Sequence, residues 1–265
     1  MTIPSDAIRA VEENLWALHR DFARLPGAEV HDDPPLLWYT APSNNSWLNG
    51  ASRSSLDPAD ADAMIDHVVS AIHARGRALM WHVGPSSLPV DMAARLEARG
   101  FEGSADTSMV LDIARLVPSP TDDRLVIRAV RTRADLLDWL QAWDLAIEVE
   151  PRREQHPWLE PWTILALPPD TPTELFLGRF AGEPVASSLA FTGGGAVGLY
   201  GVGTAPRYRG RGFGGAISAA AVEWGRGRGE RFAILHSTEM GAPVYRRLGF
   251  QPVGELTQWV LRPPT

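Results

Sequence analysis

The chain has 265 residues, enough for one large domain or two of ordinary size with a real buried core. Its 45% hydrophobic and 22% charged residues place it in the soluble globular class, and a formal net charge of −7 carries no signature of a nucleic-acid partner. With no cysteine there is no disulfide, cysteine nucleophile or thiolate metal site. The seven histidines are scattered without a paired His-x-x-x-His or a carboxylate cluster, so no metal is expected.

From the start of the chain, Met1 to Trp16 reads as an amphipathic helix carrying Glu12 and Glu13, not as a basic-then-apolar export signal. No apolar run approaches the roughly 18 residues that span a bilayer. The expectation is a cytoplasmic protein without a membrane partner, either monomer or homodimer. A helix is expected from about Ala59 to Ala74 behind Pro58. An apolar run Leu79–Val83 follows, then Gly100–Phe101 and Thr107–Ser108–Met109–Val110–Leu111. Val117–Pro118–Ser119–Pro120–Thr121–Asp122–Asp123 is Pro-rich and aperiodic, which reads as a linker. It divides the chain into 1–117, a linker 118–123, and 124–265.

The second half opens with a strand candidate, Leu125–Val130, and a helix from Ala134 to about Val149. Six prolines from Pro151 to Pro172 then punctuate an irregular segment. Three strands follow as a meander, Glu174–Phe180, Pro184–Phe191 and Ala196–Val202, with turns at Ala181–Gly182–Glu183 and Gly193–Gly194–Gly195. After a Gly/Arg loop, Phe213, Ile217, Ala220, Ala221 and Trp224 recur at helical spacing, fraying at Gly225–Gly229. Phe232–Leu235 is a short buried strand, Ala242–Leu248 a helix ended by Gly249, and Thr257–Leu261 a last strand. A strand–helix–strand crossover after a meander argues a mixed α/β fold, with mostly antiparallel strands, one parallel crossover and flanking helices.

The two halves echo each other. Gly100–Phe101 and the strand after it match Gly249–Phe250 followed by Thr257–Leu261. Leu79–Val83 resembles Phe232–Leu235, and Pro58 stands where Pro206 stands. This reads as two diverged copies of one unit. The alternative is coincidence, because Gly-Phe after a helix is a common C-cap.

Arg209–Gly210–Arg211–Gly212–Phe213–Gly214 lies between a strand and a helix, in a stretch where Arg207, Arg209, Arg211, Arg226, Arg228 and Arg231 crowd together. Glycines let amides approach a ligand without an intervening Cβ, and the helix adds unpaired donors and a positive dipole end. Together these suit a pyrophosphate. A plain surface turn is one alternative. A dinucleotide fold is another, since Gly210, Gly212 and Gly215 satisfy G-x-G-x-x-G. Its context fails: Thr204–Arg209 intervenes between strand and glycine, and Glu230 precedes the next strand.

Val202–Gly203–Thr204–Ala205–Pro206–Arg207–Tyr208–Arg209–Gly210–Arg211–Gly212–Phe213–Gly214 resembles the acyl-CoA loop of the GNAT N-acyltransferase family. The family's Arg/Gln-x-x-Gly-x-Gly/Ala is met by Arg209, Gly212 and Gly214. Ala242–Pro243–Val244–Tyr245–Arg246–Arg247–Leu248–Gly249–Phe250 is similar to the family helix ending in Tyr-x-x-Leu-Gly-Phe. The resemblance runs from about Arg124 to the C-terminus and implies a tandem of two GNAT-like domains, the first degenerate. It implies acetyl-CoA or another acyl-CoA as co-substrate, and a small-molecule amine that attacks directly; the alternatives are a non-catalytic acyl-CoA-binding module and acyl transfer to a protein or peptide N-terminus. The CoA would be held by Val202, Gly203, Thr204, Arg207, Arg209, Gly210, Arg211, Gly212, Phe213, Gly214, Gly215, Thr238 and Tyr245.

Tyr245 is the candidate general acid for the departing thiolate, a phenol near ~10 facing a thiol near ~8.5. The alternative is a Tyr245 that only packs its ring. In the first copy, Leu96 stands at the Tyr245 position and Asp60–Ala61–Asp62–Ala63 against Arg209–Gly212. Carboxylates there repel a pyrophosphate, so that copy is expected to bind no CoA. No general base stands out: Glu148 and Glu150 read as a solvated helix face, His236 as a hydrogen-bonded structural histidine, and His156 and Glu239 have only their chain position in their favour. Water can also remove the proton. Trp158 and Trp162 either wall an acceptor site or pack in the core, and Trp38, Asn44, Asn45 and Trp47 are candidates for a contribution from the first half.

Overall fold

The computed structural model describes residues 3–118 and 120–264. Met1, Thr2, Ser119 of the expected linker, and Thr265 lie outside the described residues. In chain order the first elements are α1 (Ser5–Asp21), β1 (Glu29–Asp33), β2 (Leu36–Thr40), β3 (Asn49–Ser54), α2 (Ala61–His73), β4 (Leu79–Val83), α3 (Met92–Glu97) and β5 (Glu102–Asp112). Then come β6 (Leu125–Ala129), α4 (Arg133–Ala146), α5 (Leu159–Leu165), β7 (Thr173–Phe180), β8 (Glu183–Gly193) and β9 (Ala196–Thr204). The chain closes with α6 (Phe213–Gly227), β10 (Phe232–Ser237), α7 (Ala242–Leu248) and β11 (Gln251–Leu261).

Two compact units interleave along this order. The larger comprises residues 1–14 and 108–253, the smaller residues 15–107 and 254–265. In the larger unit β6, β7, β8 and β9 pair antiparallel in sequence. Helix α6 then crosses over and returns β10 parallel to β9, with Phe232–Leu235 opposite Ala196–Leu199. The smaller unit repeats the plan. There β1, β2 and β3 pair antiparallel, α2 crosses over, and β4 pairs parallel to β3 through Gly50–Met80 and Ala51–Trp81. Its other neighbour is Thr257–Leu261 of β11, antiparallel. Mixed α/β architecture with one parallel crossover is thus found in both units.

Strand alternation gives the larger unit two buried faces. Val197, Leu199, Ala233 and Leu235 face Phe213, Ile217, Ala221 and Leu248 of α6 and α7. Ala196, Phe232 and Ile234, one residue out of phase, face Ala7, Ala10 and Val11 of α1. In the smaller unit Ile65, Val68 and Ile72 of α2, with Leu96 of α3, pack on Ala51, Leu79 and Trp81.

Some boundaries differ from expectation. Helix α4 ends at Ala146 and not near Val149, because Glu148 takes a left-handed conformation (φ 61°) that stops the helix. The proline-punctuated segment contains α5, whose Pro161 sits in the first turn, where a missing N–H breaks no helical bond. Strand β11 extends well before the expected Thr257.

Candidate active site

The pairing of β9 with β10 stops at Leu199–Leu235, yet β9 runs on to Thr204. Across β8, Leu189 opposes Tyr200 and Ser187 opposes Gly203, so Gly201 and Val202 together face one residue, a β-bulge. The bulge reverses the strand's facing. Val202 packs against the α6–α7 core, whereas Gly201 and Gly203 leave room for Trp143 and Ala146 of α4. Ser187 Oγ donates to the Gly201 carbonyl at 3.0 Å and holds the bulge. The β10-facing backbone of Tyr200–Thr204 therefore lies along a gap between diverging strands. An extended chain of amides can pair there as an added strand would.

The chain then turns through Pro206–Tyr208 into the loop. Gly210 (φ 78°) and Gly212 (φ 82°) are both left-handed, and Gly212 is the N-cap of α6 with no side chain capping it. The Ala216 amide bonds the Gly212 carbonyl, so the amides of Phe213, Gly214 and Gly215 have no acceptor within the helix. A Cβ on Gly210 would meet nothing within 4 Å, which leaves that side of the loop open. A helix N-terminus with free amides and glycine on its approach fits a pyrophosphate.

The arginines divide their work. Arg209 binds inward: its guanidinium donates to Glu148 (2.9 Å), to the Ala146 carbonyl (2.8 Å) and to the Thr204 carbonyl (3.2 Å). It fastens the loop to the negative C-terminal end of α4, and Glu148 is exposed, as expected from the sequence, but paired. Arg207 pairs with Glu183 and lies 4.9 Å from the Tyr208 ring centroid. Arg211 sits over Tyr208 and Phe180, at 5.5 and 5.6 Å. The Phe213 ring is buried beside Phe180 (5.3 Å), leaving its amide for the loop, and Thr204 Oγ1 adjoins Gly214.

Tyr245 lies on the same face as α6, edge-on to Phe250 at 5.9 Å. Burial pushes its phenol well up, only partly offset by a hydrogen bond with Ser218, whose hydroxyl reaches the Gly214 carbonyl at 2.7 Å. The phenol therefore keeps its proton at any working pH. Thr238 is exposed and starts the turn into α7, its Oγ1 accepting from the Gly241 amide at 3.3 Å.

The base candidates separate clearly. His156 is fully engaged: Nδ1 accepts from the Trp158 amide (3.1 Å) and Nε2 meets the buried Asp144 carboxylate at 3.2 Å, which Arg152 also holds. Glu150 and Glu239 are exposed. His236 bonds Ser108 Oγ through Nδ1 (3.1 Å), while its Nε2 is enclosed without a partner. Burial lowers its pKa to about 4. Trp158 and Trp162 stack on each other at 4.8 Å, and Trp162 is buried. In the smaller unit Trp38 stacks on His31 (4.0 Å), Asn45 Oδ1 accepts from the Trp47 amide (3.1 Å), and Asn44 is exposed.

One residue escaped the sequence reading. Asn14 is fully buried; its Nδ2 donates toward the carbonyls of Phe191, Gly193 and Ala196 (2.8–3.2 Å), and its Oδ1 accepts from Tyr200 at 2.7 Å. It fixes the strand turn that leads into β9. The available signal was its position, in phase with Ala7, Ala10 and Val11 on the apolar stripe of α1.

The smaller unit has the same strand geometry, filled from within. Its parallel pairing also stops early, with a bulge at Ser52. There the Leu88 amide donates to the Ser54 carbonyl (2.9 Å), and Leu88 in turn accepts from the Leu56 amide (3.2 Å). At the start of α2, Asp62 and Asp66 pair with Arg95 and Arg99 at 2.7–3.1 Å. Backbone and carboxylate occupy the positions that stand open in the larger unit.

Diverging parallel strands, a β-bulge and an uncapped helix N-terminus approached by glycine thus come together in the larger unit. Residues 194–253 match the family model described as an acetyltransferase (GNAT) domain. A GCN5-related N-acetyltransferase from Kribbella flavida is similar over 98% of this chain and 96% of its own, at 20% identity and a TM-score of 0.72. A functionally unknown conserved protein from Staphylococcus epidermidis ATCC 12228 is similar over 91% and 96%, at 15% identity and 0.67. A tandem GNAT protein from the clavulanic acid biosynthesis pathway is similar over 91% and 85%, at 16% identity and 0.60. No curated protein matches the sequence. The chain has the fold of these GNAT proteins. Among the described residues no group of three His, Asp or Glu could hold a metal, and no helix is long and apolar enough to cross a membrane.

Proposed function

We propose that the chain is an N-acyltransferase that moves an acyl group, acetyl in the simplest case, from acyl-CoA to the primary amine of a small molecule. The observation that carries this reading is the open backbone edge of Tyr200–Thr204 leading into the uncapped helix N-terminus at Gly212–Gly215. The strand edge suits the amides of a pantetheine arm, and the helix amides suit its pyrophosphate. The amine attacks the thioester carbonyl, the C–S bond breaks, the thiolate takes the proton of Tyr245, and the proton lost by the attacking nitrogen passes to water, from which the phenolate is reprotonated. A raised phenol is a weaker acid, but a thiolate in the same apolar surroundings is a correspondingly stronger base.

On this reading the two halves of the chain, 1–117 and 124–265, are diverged copies joined at 118–123, and the chemistry is confined to the second. In the first, Leu88 and the Asp62–Arg99 and Asp66–Arg99 pairs stand where the thioester donor would lie. Calorimetry with acetyl-CoA is expected to show one site per chain. Thiol release over a panel of primary amines tests turnover, and Tyr245→Phe is expected to lower kcat about a hundredfold with affinity for acetyl-CoA unchanged. Binding without thiol release from any amine would instead make the protein an acyl-CoA sensor; absence of binding would end the proposal.

A further inference from the structure

The larger unit buries a histidine nitrogen with no partner, at the point where β9 and β10 separate. His236 directly follows Leu235, the last residue paired to β9, and strand alternation fixes its direction. Ala233 and Leu235 face α6 and α7, the side of Tyr245. Phe232 and Ile234 face α1, and His236 shares their phase. The fork of the sheet therefore has Tyr245 on one face and His236 on the other.

Its hydrogen bonding is lopsided. Nδ1 is held by Ser108 Oγ at 3.1 Å, whereas Nε2 is shielded from solvent and bonded to nothing among the described residues. Leaving a buried polar atom unsatisfied is costly, and such atoms in native proteins call for an explanation. The smaller unit offers a contrast. His82 holds the same place after its last pair, Ala51–Trp81, but is packed by rings, with His19 at 5.0 Å and Trp47 at 5.5 Å. No ring stacks on His236 among the described residues, so the two histidines that follow the last parallel pair differ in their surroundings.

We infer that His236 is the acceptor-side residue of the reaction. With Nδ1–H donating to Ser108, Nε2 presents its lone pair to an N–H of the incoming amine and aims the nitrogen at the thioester carbon held in the fork. The amine arrives on the α1 face and the thiolate leaves on the Tyr245 face. This assignment rests on the acyl-transfer reading, and it makes the ligand at the fork a primary amine. Burial keeps the imidazole neutral, consistent with a hydrogen-bond acceptor and not a cation.

Two substitutions separate this role from a structural one, with acetyl-CoA as donor and hydroxylamine as a small amine probe. His236→Asn keeps a polar atom near Nδ1 for Ser108 but removes Nε2; His236→Gln restores a carbonyl oxygen near Nε2. The Asn variant is expected to lower kcat/KM for hydroxylamine about tenfold while acetyl-CoA affinity stays within about twofold, with Gln recovering part of the loss. Wild-type turnover in the Asn variant, or equal loss of acetyl-CoA binding, would overturn the role. The ¹⁵N spectrum of the histidines decides it without turnover: a protonated Nδ1 with bare Nε2 supports the inference, and a protonated Nε2 refutes it. If the wild-type protein releases no thiol with hydroxylamine or any other amine, the acyl-transfer reading fails, and the spectrum alone judges His236 as a hydrogen-bond acceptor.

Discussion

Two glycines two positions apart in one loop offer a controlled experiment on the proposed acyl-CoA cradle. Gly210 and Gly212 are both left-handed, at φ 78° and 82°, so alanine at either carries the strain of an L-residue there, about 1–2 kcal/mol. Their surroundings differ. A Cβ on Gly210 meets nothing within 4 Å, whereas one on Gly212 would lie well under 3.0 Å from the Pro120 carbonyl oxygen, a backbone atom that cannot rotate away. Overpacking of that kind adds about 1–3 kcal/mol. If the free loop relaxes to escape the strain, the energy appears as lost affinity. Gly210→Ala should then weaken acetyl-CoA binding by about 5- to 30-fold, and Gly212→Ala by about 30-fold upward. If the loop is rigid, the same energies appear as lost stability, so titration calorimetry and chemical denaturation are run on both variants and the two losses added. Gly212→Ala within about twofold of Gly210→Ala, with equal stability, would refute the cradle as described.

Two further outcomes follow from buried polar groups. Asn14→Ala strands the Tyr200 hydroxyl and the carbonyls that Asn14 serves, and should cost about 2–4 kcal/mol in denaturation; a loss under about 0.5 kcal/mol would remove Asn14 from the account. His19 is fully buried, and desolvation, then the neighbouring His82, lowers its pKa well below the ordinary value. The unfolded chain therefore binds a proton below about pH 6.5 that the folded chain refuses, so stability is full above that pH and falls as pH drops. His19→Leu should flatten this slope by up to about 1.4 kcal/mol per pH unit, read from denaturation midpoints between pH 5 and 7, and an unchanged slope would contradict the burial argument.

The elements legible in the sequence were those with local signals. The Arg209–Gly214 loop, the helical spacing through Phe213 and Ile217, and the helix closed by Gly249 were read correctly, because glycine placement and apolar period act over a few residues. Strands β1 to β3 were not read. Every residue of β2 is buried, which erases the alternation that marks a half-exposed strand. The role of Arg209 was hidden for a different reason: its partner Glu148 is distant in sequence, and only the left-handed end of α4 brings the carboxylate to the loop. Asn14 likewise serves carbonyls brought together by the fold alone. Long-range pairing of polar groups leaves no period to detect.

The interleaving of the two units has a consequence for how the molecule is made. The smaller unit takes its strand Thr257–Leu261 from the end of the described chain, and the larger takes residues 1–14 from the beginning. Synthesis is vectorial, and domains ordinarily complete themselves in turn as they emerge from the ribosome. Here residues 3–14 wait for Ser108–Val253 before their unit closes, and the smaller unit stays short of a strand until Thr257–Leu261 has been made. A gene cut at 118–123 would yield two fragments, each lacking a piece that only the other carries. The two units are thereby tied into one folding event.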